Sequence, residues 1–353
     1  MNSQARDLLH TVRANATITV PLLLLLSVPL IMLLIDKCSS EPDSQSKNQG
    51  EWQTMQTGGN WWMSVLALAN DDRWIVGGTP DRGEILHYNG SEFEAVSFGA
   101  DVELLNWIHG FQSGESIAVG NGGVVLWWDG QTWTQVRVPT EQDLWGVWGV
   151  NPYDVWAVGG NADESGVLTV LRDTGSGFET VAMPVLERPD VKALFKVWGS
   201  GADDVYMVGQ NGAVLHWNGE ILEELHVGVS EDLIAVWGTG PNRVAIVGGR
   251  RNGAAALWNG EEWRSPEVGN FPGLNGVWLR GDSVHVVGNS GTAGIIDFTT
   301  LAATRVRIDT PVNLHAIHGS PDGTLTAVGG NFFIGKKGPF TGDILTRPME
   351  NSE

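Results

Sequence analysis

Apolar residues in this chain come in short bursts rather than long helical stripes. Each burst alternates with polar positions, ends on a Val-Gly pair, and gives way to a polar turn. Two copies show the pattern best: "LWGVWGVNPYDVWAVGG" from Leu144 to Gly160, and "FKVWGSGADDVYMVGQNGAVLHWNG" from Phe195 to Gly219. The closing pair falls at Val76-Gly77, Val119-Gly120, Val158-Gly159, Val208-Gly209, Val247-Gly248, Val287-Gly288 and Val328-Gly329. The intervals are 43, 39, 50, 39, 40 and 41 residues. A period of roughly 40–50 with strand-like contents marks a β-propeller, not a helical solenoid. The pattern predicts an all-β, seven-bladed propeller of four-stranded blades.

Within a repeat, strand A is the "VWG" segment, with Leu194, Lys196 and Trp198 alternating against Phe195 and Val197. Strand B is "DVWAVG", strand C "GVVLWWDG", and strand D starts at an aromatic residue as in "TWTQV". A–B turns are polar and rich in Gly, Pro and Asp. C–D turns are Asn89-Gly90, Asp129-Gly130, Asn218-Gly219 and Asn259-Gly260. Those dipeptides accept positive φ and favour tight hairpins.

The 17 Trp residues fall into columns. Trp148, Trp198, Trp237 and Trp278 share one place in strand A, while Trp127, Trp128, Trp133, Trp217, Trp258 and Trp263 lie in strand C or at the start of strand D. Both faces of a blade are covered by neighbours, so recurrent large aromatics read as core rather than as a sugar-stacking platform.

The N-terminus is a different object. Residues 14–35, "ANATITVPLLLLLSVPLIMLLI", carry no charge. At ~1.5 Å per residue such a helix spans about 33 Å, enough for a bilayer core. Arg6 and Arg13 precede it, which favours a cytoplasmic N-terminus and an exported remainder. The expected organisation is a cytoplasmic N-terminus (1–13), a transmembrane signal anchor or signal peptide (14–35), a polar stalk (36–60), the propeller (61–345) and a C-terminal tail (346–353). A lipoprotein would instead be modified at Cys38, the only cysteine, although Asp36 and Lys37 stand where small residues are usual. "EWQTM" in the stalk resembles a strand D and could close the ring by joining the last blade; "PFTGDILT" near the C-terminus could fill the same slot.

Charge changes the picture once more. The chain carries −20 formally, and −21 beyond residue 37. That balance disfavours nucleic acid and anionic headgroups as partners, since phosphate binding relies on Lys and Arg.

Repeats of the form "VWGxxxxDVWAVGxxGxVLHWNGxxW" resemble the Trp-rich propellers of exported bacterial proteins, the WD/YVTN/BNR-like and photosystem II assembly-factor types. The resemblance covers residues 61–345. It implies a propeller, and it brings no catalytic residue with it.

Sites of chemistry are sparse. No HExxH, Cys/His metal spacing, G-x-S-x-G elbow or EF-hand loop occurs. "GNGG" at Gly120 and "GGRRNG" at Gly248 read as hairpin turns, and Arg280-Gly281-Asp282 sits where an A–B turn belongs. His109 and His318 occupy the Trp column of strand A, with His315 nearby; they are packed histidines or a polar pair facing each other. The expectation is a non-catalytic, membrane-anchored module with no metal or cofactor, binding a protein or glycan on the extracytoplasmic side. The alternative is a polysaccharide-active hydrolase or lyase, which would need two carboxylates on one rim. Variable loops collect function. They are expected on the B–C and D–A side: "TPDR" at 79–82, "NADES" at 161–165, "RRN" at 250–252 and "MPVLERPDVK" at 183–192. Binding is therefore expected at Arg82, Glu164, Arg250 and Arg251, cations being scarce in this domain.

Overall fold

The computed structural model describes residues 50–161, 166–188, 190–335 and 337–348. Residues 14–35, expected from the sequence to cross a membrane, Cys38 and Glu164 lie outside them. Seven four-stranded antiparallel sheets are arranged as blades, each with strand A at one edge and strand D at the other. In blades 1 to 7, strand A is Trp61–Ala67, Leu105–Gly110, Leu144–Asn151, Leu194–Gly201, Leu233–Gly240, Leu274–Arg280 and Asn313–Gly319. Successive A strands pack on one another around the central channel, and the last packs on the first.

Closure uses both terminal segments, in adjacent slots rather than as rivals for one. Blade 7 runs Asn313–Gly319, Leu325–Gly330, Gly342–Arg347 and then Gln53–Gly58, the last two paired from Gln53↔Thr346 to Gly58↔Gly342. Its third strand therefore comes from the C-terminal end and its outermost strand from the polar stretch before Trp61. An outer strand taken from the chain start locks the ring shut, since an open ring would leave an unpaired edge.

The Val-Gly anchor has a steric cause. In every blade, strand A carries a bulge just after its first or second paired residue, as between Leu144 and Gly146 or Trp62 and Ser64. The bulge breaks the simple alternation expected from sequence, and it brings the carbonyl of the preceding residue onto the Gly that closes strand B. A Cβ there would lie 2.0 Å from Trp61 O at Gly77, 2.0 Å from Asp143 O at Gly159 and 2.0 Å from Asp232 O at Gly248. Only glycine fits.

The "WG" of strand A has a second cause. A Cβ on Gly199 would meet the Trp148 ring at 2.6 Å, one on Gly238 the Trp198 ring at 2.4 Å, and one on Gly319 the Trp278 ring at 2.3 Å. Each tryptophan thus lies over the glycine of the next blade. Trp148, Trp198 and Trp278 are buried, and this relay carries the packing around the ring.

Candidate functional site

Strands A and C run away from one face of the ring and strands B and D run toward it, so the B–C and D–A connections share that face. Of the predicted cations, Arg82 is the first residue of a strand, Arg82–Tyr88. The turn before it is only Pro80-Asp81, so this connection is tight rather than extended. Arg82 lies 3.6 Å from Glu84 and borders an open groove of about 770 Å³ that reaches Val102. Arg250 sits three blades away. Its Nε donates to Asp232 Oδ2 at 2.7 Å, and its guanidinium lies 5.2 Å from the Phe195 ring centre. Arg251 is exposed and has no hydrogen bond or ion pair among the described residues. The structure does not bring Arg82 together with Arg250.

Arg250 points instead to the channel mouth, which sequence reasoning missed. The bulge residues of the seven A strands are Met63, Asn106, Trp145, Phe195, Ile234, Asn275 and His315. Six residue types fill the seven positions, asparagine alone occurring twice. Three of them bond to the next blade: Asn106 Nδ2 donates to Leu144 O at 3.0 Å, Asn275 Nδ2 to Leu314 O at 2.9 Å, and His315 Nδ1 lies 2.6 Å from Met63 O. Trp145, Phe195 and Ile234 form one apolar cluster with Ala193; Trp61, Met63 and Leu104 form another with Phe332 and Phe340. The signal was present in the sequence as the strand A position that varies most.

Beneath the mouth lies Lys196, 2 % exposed. Its Nζ donates to Trp145 O at 2.9 Å and stands 4.2 Å over the Trp107 ring. Blade 3 has Gly146 between them, where a Cβ would lie 2.8 Å from Lys196 Cα. One side chain thus ties blade 4 to blades 3 and 2. Burial without a carboxylate partner pulls its pKa down to about 7. Burial, with the charges of Lys196 and Arg250 added, pulls His315 down to about 3.

The far end of the channel is different in kind. His109 and His318 hold the tryptophan column there and are packed: His109 Nε2 bonds Gly149 O at 2.9 Å, and His318 Nδ1 accepts from Ala67 N at 3.3 Å. Burial holds both at about 4. The void between the A strands is only about 30 Å³, room for water but not for an organic ligand.

The phosphate-like loop at Gly120 serves the blades, and so does its counterpart at Gly209. Gly122 N donates to Asp143 Oδ1 at 2.9 Å and Asn211 N to Asp232 Oδ1 at 2.9 Å, so each of the two is pinned to the next blade by an acid. Arg280-Gly281-Asp282 is an A–B turn whose Asp282 accepts from Arg243 at 2.7 Å. Among the described residues no group of three His, Cys, Asp or Glu is placed to hold a metal.

No family model matches the chain, and no curated protein matches it. Solved structures do resemble it. A YCF48 structure bound to a D1 peptide aligns at TM-score 0.60 and 16% identity, over 86% of this chain and 97% of that one. YCF48 from Cyanidioschyzon merolae gives 0.62 and 13% over 86% and 100%. The virginiamycin B lyase of Staphylococcus aureus gives 0.64 and 10% over 83% and 99%, and the WD40 propeller domain of Doa1 0.63 and 7% over 83% and 96%. At such identities the likeness is one of fold: WD40- and YCF48-like seven-bladed propellers.

Proposed function

We propose that this protein is a non-catalytic binding scaffold, tethered to a membrane through residues 14–35 with its propeller on the exported side, and that its protein partner sits on the B–C/D–A face around the channel mouth. The observation that carries the reading is the contrast within strand A. One position per blade, the bulge, gathers six kinds of side chain around one mouth, with Arg250 and Trp145 at its border. Aromatic residues and Arg are the anchors that protein interfaces favour. The YCF48 structure of similar fold, bound to a D1 peptide, supports a protein over a glycan.

Catalysis finds little support at the mouth. Asp232 there is engaged by Arg250 and Asn211 and is not free to serve as an acid or base.

The test is a quantitative pull-down of the detergent-solubilised protein with a glycan array beside it. Phe195→Ala/Arg250→Ala should lose the captured protein, while Tyr153→Ala on the opposite A–B face should retain it. Equal capture by both variants, or a glycan hit insensitive to the mouth, overturns the assignment.

A further inference from the structure

Blade 7 differs from its six neighbours in charge, in edge and in loop. Blades 1 to 6, residues 59–310, hold 14 Lys and Arg against 32 Asp and Glu, a net −18. Blade 7, residues 50–58 and 311–347, has Glu51, Asp322 and Asp343 against Lys336, Lys337 and Arg347, a net of zero. Its outer strand, Gln53–Gly58, is six residues long and uncharged. The other outer strands run two to four residues, and five of those six carry charge at Glu94, Glu179, Glu223, Arg264 or Arg305. Short or charged edges are how sheets normally stay solvated.

The B–C connection of blade 7, residues 331–341, spans eleven residues, the longest of its kind. Its base is fixed. Asn331 Oδ1 accepts from Trp61 Nε1 at 2.8 Å and from Thr341 N at 2.9 Å, and Phe332 and Phe340 pack edge-on against Trp61 at 5.5 and 5.1 Å. From that base the tip holds Phe333 out at 78% exposure and Ile334 at 44%, with Lys337 exposed beside them. A rigid base that presents aromatic and aliphatic side chains to water does nothing for the fold. Apolar tips flanked by lysines and short of acids suit the headgroup–acyl boundary, where the ring or chain enters and the ammonium stays at the phosphates.

The chain's own path selects the occupant. Residue 53 begins the outer strand of this same blade, so the segment that precedes it enters the ring at blade 7 and at no other. We infer that blade 7 is the side of the ring that rests on the lipid surface, Phe333 and Ile334 entering the interface with Lys337 at the headgroups. The inference rests on the membrane-tethered reading above. The acidic balance that sets the other blades against anionic lipid is absent from this one.

The single cysteine makes the test direct. In the full chain with Cys38→Ser, one new cysteine is placed by Phe333→Cys or, as control, by Val185→Cys, a residue 99% exposed in the loop between blades 3 and 4. Each is labelled with an environment-sensitive fluorophore and reconstituted in vesicles of phosphatidylcholine with a minority of phosphatidylglycerol. The label at 333 should shift to the blue and be quenched by lipid-borne nitroxide, while the label at 185 stays water-like. Co-floating protein whose two labels behave alike overturns the orientation and leaves the tether standing. Protein that does not float with the vesicles overturns the tether, and this inference with it.

Discussion

The two ends of the central channel are built from the same seven strands under opposite rules. At the A–B end, five apolar side chains and two histidines fill one column, Leu66, His109, Trp148, Trp198, Trp237, Trp278 and His318, and all serve packing. At the B–C end, six residue types fill the seven bulge positions. In the lower column Leu66, Trp148, Trp198 and Trp278 each lie over the next blade's glycine, so their choices are narrow. The bulge takes the upper side chain out of the sheet's simple alternation, and its residues vary most in strand A. Repetition marks the frame, and the position where it fails surrounds the mouth at which the partner is proposed to bind.

The largest effect that separates the two ends is structural. Trp198→Ala opens a cavity beside Gly238 and should lower the free energy of unfolding by about 3–5 kcal/mol. Asn275→Ala at the mouth removes the bonds to Leu314 O and Asn289 Oδ1 and should cost only about 1–2 kcal/mol. Urea denaturation of both variants checks the pair. Equal losses would mean that the mouth is as much a part of the frame as the lower column.

The seven blades were legible because glycine and tryptophan are forced. Gly159 has 2.0 Å to the Asp143 carbonyl, and Trp148 has a glycine partner in the next blade, so neither position tolerates drift. The predicted cations were legible only as scarce charges. That Arg82 begins a strand, and that Arg250 stands over Phe195, depends on where the bulge places side chains from different blades. Lys196 reads in sequence as one more polar alternation, and only the fold shows it crossing Gly146 to reach Trp107. "NFFIGKKGPF" was visible as an apolar and basic insertion after Gly330, but its exposure follows from the clamp on Trp61.

Acid should act next in size. The folded pKa of His318 is about 4, lowered by burial and then by the charge of His109, against the 6.5 of an unperturbed histidine. The unfolded chain therefore binds the proton first. The stability is fully present above pH 6.5 and is lost as pH falls toward 4, by roughly 3 kcal/mol for this residue. His318→Gln should flatten the stability profile over that window. An unchanged slope would show that the lower column is hydrated rather than closed.

Lys196 gives the reverse sign of substitution. Its folded pKa of about 7 lies below the 10.5 of a free lysine, so the folded state is penalised as pH falls from 10.5 to 7 and the penalty stays constant below. Lys196→Met should stabilise the ring by about 1–2 kcal/mol at neutral pH, the bond to Trp145 O and the Trp107 contact offsetting part of the burial cost. The gain should vanish above pH 10.5. A destabilised Lys196→Met at pH 7 would show that the tie between blades 2, 3 and 4 outweighs desolvation, and would move Lys196 from the mouth's account to that of the frame.

The smallest structural effect belongs to the pair that should matter most for binding. Arg250 is an exposed cation on Asp232, and Asp232 keeps its bond from Asn211 N when the guanidinium is gone. Exposed pairs of this kind contribute about 0–1 kcal/mol. Arg251 has no partner among the described residues to lose. Arg250→Ala/Arg251→Ala should therefore leave the thermal midpoint nearly where it was while weakening the partner captured at the mouth. A clear drop in midpoint would reveal Arg250 as part of the stitching between blades 4 and 5. Full retention of the partner, with loss on changing Tyr153 instead, would place the binding face at the A–B end and invert the assignment of the two ends.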